Sequence, residues 1–392
     1  MFSRMSGAAA RSHNTLIRRI TQIEIEIGAG ATSASQAVTI DDPNNCIFLM
    51  EGYRLPNGAT NSRSGWQPRV DFNATHVTAY TTDTSAGTIR TVAGQLIEFM
   101  PFVIEKRVMG TISIPSNGGV TADASLGQDF NLDRSVVMWL GCTTTHTGQS
   151  TGHSLATVEF QTQNTVRATR YSSAAFVCQV GYLAVQFSEG ILRDFAGNAV
   201  PVLTTLIQIP KGDDDGYAES RTQPWNSGTI GYNLDIDLDE AFMVFNGYRQ
   251  GGFQAETPYA YGYRSGDAEA FRFSSSTFDD SFVMITALQF GYKWQVLHDL
   301  TTFNLAPGAA TDVYDVTWLG NYADGIESSL RDYKERLTWQ WLGFATDNAA
   351  ANIDRFPTTL LLNGSDEIEA RRGFATAVIN TVETFTHITL FH

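Results

Sequence analysis

The chain has 392 residues, 43% hydrophobic and 17% charged, with 34 glycines. A chain of this length and apolar content buries cores and divides into two to four domains, which excludes an intrinsically disordered protein. A net charge of −15 excludes a broad basic face, so no nucleic-acid partner is expected.

Residues 1–19 carry Arg4, Arg11, Arg18 and Arg19 and no acid, which leaves the remainder at −19. A basic segment on an acidic body reads as a docking arm, or more plainly as a solvated terminus. The segment lacks the apolar centre of a signal peptide. No stretch reaches the roughly 18 apolar residues of a membrane helix, so no membrane insertion is expected. The expectation is a protein made in the cytoplasm that leaves, if at all, by a route such as lysis. Cys46, Cys142 and Cys178 form no CxxC pair, which argues against a disulfide framework and against zinc.

Beyond residue 19 one layout recurs four times. An opening strand alternates apolar and polar residues at 23–27, 111–114, 206–209 and 302–305. It is followed by Gly28, Pro115, Pro210 or Pro307. A continuous apolar strand then ends at Gly52, Gly141, Gly247 and Gly343, with spacings of 89, 106 and 96 residues. Asp42, Asp133, Asp239 and Asp332 precede these strands and are expected to fix a turn. A second alternating strand centres on Ala79, Ala168, Ala270 and Ala370, at 27, 27, 23 and 27 residues after the glycines. Asn164, Gly266-Asp267 and Asn363-Gly364 mark the hairpin before it, the last as a type I′ turn. A closing strand is placed at 102–105, 183–187, 287–290 and 388–391. Period-two alternation buries one face, and an unbroken apolar strand suits the middle of a sandwich.

The expected fold is therefore all-β, with four tandem β-sandwich repeats of immunoglobulin size and a short N-terminal arm. The boundaries drawn are 1–19 for the arm, then 20–106, 107–198, 199–299 and 300–392. The best candidate for a short helix is 326–336.

Signs of catalysis are weak. Ser150 lies in a GxSxG match flanked by His146 and His153, in a polar loop that lacks the strand-to-helix setting of a nucleophile elbow. Asp213, Asp214 and Asp215 are hard oxygen ligands in a Gly-bounded loop without calcium-loop spacing, so cation binding and a solvated loop both stand. Asp235, Asp237 and Asp239 read as a solvent face. No catalytic residue, resident metal or cofactor is assigned, and the expectation is that the chain is not an enzyme.

The loops at 54–67, 143–154, 249–258 and 345–355 vary while their flanking strands keep the pattern, which makes them the expected contact surface. Trp66, Phe253, Tyr259, Tyr261 and Tyr263 are its aromatic candidates, for a sugar, a protein partner or neighbouring repeats.

The recurrence of an alternating strand, a Gly turn, an Asp-led apolar strand ending in Gly and a closing strand resembles the repeat modules of tailed-bacteriophage virion proteins. The resemblance spans nearly the whole chain after residue 19. It implies a structural virion component, tail-associated as a fibre or appendage, or else a capsid decoration or head-fibre protein. It also implies other virion proteins as partners, a homo-oligomer, and contact with a host-surface glycan or protein. The arginines of the arm would dock on the particle. A carbohydrate-active enzyme and a cell-surface adhesin are the rivals from other classes.

Overall fold

The structure, a computed structural model, describes residues 16–54, 67–82, 89–145, 155–194, 196–209, 242–250, 261–264, 271–274, 281–291, 295–305, 309, 311–315, 337–346, 358–363, 367–372 and 382–391. Within these it is all-β, with helix confined to two three-residue 3-10 turns. The first stretch contributes β1 (Ile17–Ile27), β2 (Ser33–Ala37), β3 (Cys46–Arg54), β4 (Arg69–Phe72), β5 (His76–Tyr80) and β6 (Arg90–Phe99). The second contributes β7 (Ile104–Ile114), β8 (Thr121–Ser125), β9 (Ser135–Thr144), β10 (Ala156–Thr162), β11 (Thr165–Arg170) and β12 (Cys178–Phe187). Then come β13 (Leu203–Ile209), β14 (Phe242–Gln250), β15 (Tyr261–Arg264), β16 (Phe271–Ser274) and β17 (Ser281–Leu288). The last are β18 (Gln295–Leu305), β19 (Thr311–Asp315), β20 (Leu337–Thr346), β21 (Thr358–Asn363), β22 (Glu367–Arg372) and β23 (Val382–Phe391).

Three antiparallel six-stranded sheets are composite. Their orders are β1-β6-β3-β21-β22-β19, β7-β12-β9-β4-β5-β2 and β13-β17-β14-β10-β11-β8. Each takes three strands from one stretch of chain and three from another, joined at the middle. The joints are Gly52 with Thr359, Gly141 with Arg69, and Gly247 with Thr157. The last part of the chain thereby returns to the first. Strands β3, β9, β14 and β20 touch in turn, and β20 touches β3.

The two halves of the first stretch pack face to face. Ile23, Ile25 and Ile27 alternate inward from β1, while Val70, Phe72, Val77 and Ala79 come from β4 and β5. The Phe48 and Phe72 rings meet at 6.3 Å. Each of the isoleucine, valine and phenylalanine side chains, buried from water, contributes about 2 kcal/mol. The open edge of β1 is closed at the corner by Gln36 of β2. Its Nε2 donates to Gln22 O at 3.1 Å and its Oε1 accepts from Glu24 N at 2.9 Å. A plugged edge cannot recruit a foreign strand.

Several sequence expectations change. Strand β1 begins inside the segment drawn as an arm, and the boundaries at 106/107 and 299/300 fall inside β7 and β18. The first closing strand is not 102–105. Ile97-Glu98-Phe99 ends β6 opposite Ile17, as Val185-Gln186-Phe187 ends β12 opposite Ile104. Ile104 and Glu105 instead open β7.

The turn before β3 is held by Asp42, which accepts from Asn44 N at 2.9 Å and Asn45 Nδ2 at 3.0 Å. The turn before β9 is held by Asn131, which accepts from Asp133 N at 3.1 Å, so Asp133 is not the capping residue. Buried Glu98 and Gln186 tie down these turns by accepting from Asp41 N and Asn131 N. Asn363 pairs with Glu367, so three residues join β21 to β22, one more than a type I′ turn uses. The helix expected at 326–336 lies outside the described residues.

Candidate interaction surface

The strand directions give the molecule two unlike ends. At one end lie the starts of β3, β9 and β14 and the ends of β6, β12 and β17. Their terminal phenylalanines meet edge to face, Phe99 with Phe187 at 6.2 Å and Phe187 with Phe290 at 5.4 Å, and Phe290 with Phe242 at 5.6 Å. Leu16 is held here, its carbonyl accepting from Met100 N at 2.8 Å. From the other end leave the connections β3–β4, β9–β10, β14–β15 and β20–β21. These are the loops singled out from sequence.

Arg18 and Arg19 do not extend from a free arm. Both lie in β1, where Arg18 pairs with Asp41 and Arg19 sits 3.4 Å from Asp41 and 3.3 Å from the buried Glu98 carboxylate. Both are paired with acids of the fold while their side chains stay about two-fifths exposed. Arg4 and Arg11 lie outside the described residues, as do Trp66, Phe253, Tyr259, Ser150 and Asp213, Asp214 and Asp215. Tyr261 and Tyr263 lie in β15, paired with β16. Asn73-Ala74-Thr75, a formal glycosylation sequon, is the β4–β5 turn, with Asn73 Oδ1 accepting from Thr75 N and His76 N at 2.9 and 3.0 Å.

Cys46, Cys142 and Cys178 are buried and form no disulfide. Burial, reinforced by the nearby Glu98 charge, pushes Cys46 up to about 12. Burial and the neighbouring Cys178 hold Cys142 well above the ordinary thiol range, and its Sγ donates to Gln67 Oε1 at 2.9 Å. Such thiols are packing groups rather than nucleophiles. Among the described residues no group of three or more His, Cys, Asp or Glu is arranged to hold a metal.

A cluster that sequence reasoning missed stands on the outward face of the third composite sheet, at the middle of its outer strands. Asp123 of β8, Arg167 of β11 and Glu159 of β10 lie side by side in register. Arg167 grips Asp123 with two bonds of 2.7 and 2.9 Å. Glu159 is half-buried and, among the described residues, no hydrogen bond or ion pair reaches it. Burial raises its carboxyl above the usual range, against the pull of Arg249 and Arg167. Arg249, also half-buried, lies 4.7 Å over the Phe282 ring, and its buried Nε has no hydrogen-bond partner. Burial lowers its pKa. Tyr171, just after β11, is 38% exposed and its ring sits 6.0 Å from Phe282. No sequence signal marked these residues, because Tyr171 and Phe282 are more than a hundred residues apart and meet only across strands.

No protein-family model matches the chain, and no curated protein matches its sequence.

Proposed function

We propose that the chain is a structural, non-enzymatic virion protein of a tailed phage, folded as four β-sandwich units of about 90 residues closed into a ring. The observation that carries the structural part is the set of composite sheets. Each joint fills the edge of one unit with strands from another, which makes a single rigid body rather than a string of modules. The virion assignment rests on the resemblance of the repeating layout to phage virion modules. A tail-associated appendage fits the two unlike ends. The end holding Leu16 and the phenylalanine contacts faces other virion proteins, and the loop end, with Trp66, Phe253 and Tyr259 in its connections, faces the host surface. Homo-oligomerisation on the particle belongs to the same proposal.

Electron microscopy of purified particles labelled with a polyclonal antibody raised against the folded chain tests it. Label at the tail or its tip is the expected outcome. Even label over the head would make the chain a decoration or head-fibre protein and remove the host-contact role. No label on any particle would overturn the virion assignment and return the enzyme and adhesin alternatives.

A further inference from the structure

An asparagine followed by glycine can lose its side-chain amide without a catalyst. The glycine nitrogen reaches the side-chain carbonyl carbon, and no Cβ on the following residue stands in the way. The chain has four such steps, at Asn57, Asn117, Asn246 and Asn363. The structure sets two of them apart. Asn246 is 1% exposed inside β14, and its Nδ2 donates to Val137 O. Gly247 is paired with Thr157 and lies so close to the Ala156 carbonyl that a Cβ would overlap it. Neither group is free to swing towards the other. Asn117 and Gly118 are both exposed, in the turn between β7 and β8. Gly118 has φ of +83°, with no atom within 4 Å of the place a Cβ would take. Among the described residues the amide's hydrogen-bond partner is the Ser116 hydroxyl. It donates to Asn117 Oδ1 at 3.4 Å and draws electrons from the carbonyl carbon. Gly118 N donates to Ser116 O at 3.1 Å, a bond at the surface that water replaces at little cost.

We propose that Asn117 is a site of spontaneous deamidation, converted through a succinimide to aspartate and isoaspartate. Gly118 N bonds to Asn117 Cγ, the Cγ–Nδ2 bond breaks, and ammonia leaves with the proton from Gly118 N. Solvent water then opens the succinimide at either carbonyl. Opening at Cγ gives aspartate in the original backbone. Opening at the Asn117 backbone carbonyl leaves the chain running through Cγ, as isoaspartate. One water enters and one ammonia leaves, with no change of oxidation state. The turn gives this a structural consequence. Arg170 donates to Pro115 O at 2.9 Å and to Gly119 O at 2.9 and 2.6 Å, which pins both sides of the Asn117-Gly118 step. Aspartate keeps that span and adds a negative charge. Isoaspartate inserts a methylene between the two pinned carbonyls and so loosens the Arg170 clamp. None of this depends on the virion reading.

Mass-spectrometric peptide mapping of the full chain tests this, after incubation of the folded protein at mildly alkaline pH and digestion in acid with pepsin. Isoaspartate is read by labelling with an isoaspartyl methyltransferase. The peptide with Asn117 should gain both products about tenfold faster, or more, than the peptide with Asn246, because only the exposed glycine offers its nitrogen. In urea the two peptides should react at similar rates. Gly118→Ala, whose Cβ shields the nitrogen, should slow the reaction of the folded protein about tenfold, and Asn117→Gln should abolish it. An Asn117 that stays unmodified in the folded chain but reacts in urea would mean that the Ser116 carbonyl holds Gly118 N, and it overturns the site. Equal rates at Asn117 and Asn246 in the folded chain overturn the selection by structure. Asn117→Asp should melt like the parent and the isoaspartyl protein below it, and equal melting of the two would remove the effect on the Arg170 clamp.

Discussion

Arg170 illustrates how single side chains hold this fold where sheets cannot. It is 1% exposed, and its guanidinium donates to Gly119 O at 2.9 and 2.6 Å, Phe176 O at 2.8 Å and Pro115 O at 2.9 Å. It therefore ties the β7–β8 connection to the β11–β12 connection. Five donors in a planar fork suit such a cluster of carbonyls, and lysine could not replace it. Arg170→Met keeps much of the volume but strands several carbonyls. It should cost about 3 kcal/mol of stability, measured by urea denaturation. A loss below about 1 kcal/mol would mean that water replaces the guanidinium readily. In sequence Arg170 reads only as the last residue of an alternating strand. Its partners lie in two separate loops, so its role was not legible there. The same holds for Glu159 and Arg167, which stand opposite each other only through sheet register.

At the scale of elements, the glycine expected to end each apolar strand was the clearest repeated signal, but Gly52, Gly141, Gly247 and Gly343 lie inside β3, β9, β14 and β20, and the cause is physical. Gly141 and Gly247 have φ of +87° and +99°, and each sits at a bulge where its strand passes from one set of partners to another. A Cβ at Gly141 would overlap the Pro68 carbonyl and come within 3.0 Å of Arg69 Cα. One at Gly247 would overlap the Ala156 carbonyl and lie 3.2 Å from Thr157 Cα. Left-handed geometry alone disfavours a side chain by roughly 1–2 kcal/mol, and the overlap adds to it. Gly141→Ala and Gly247→Ala should therefore each lose about 3 kcal/mol. Gly118→Ala, with φ of +83° and open space around it, should lose only about 1 kcal/mol. Equal losses at all three sites in denaturation experiments would reduce the glycines to a purely local backbone role. The first closing strand was misplaced from sequence because two apolar runs, 96–99 and 102–104, are nearly adjacent. Only pairing with β1 distinguishes the end of β6 from the start of β7.

For the whole molecule, the composite sheets predict one cooperative unfolding transition. Removing the strands of one stretch exposes the joint edge and core of another, so no stretch melts alone. Calorimetry should give a single endotherm with van't Hoff and calorimetric enthalpies in agreement, and several separate transitions would contradict the coupling. The sequence by itself determined that the described residues are β in class, where most of their strands run, and which glycines interrupt the apolar strands, though not that those strands continue past them. Those properties follow from alternation, turn residues and composition, which act over a few residues. Only the tertiary structure decided that β21 joins β3, that β4 joins β9, and that β10 joins β14. It also brought Tyr171 and Phe282 together. Partner choice between strands depends on which exposed edges and complementary faces come together in space, and backbone hydrogen bonds carry no sequence code that would announce it.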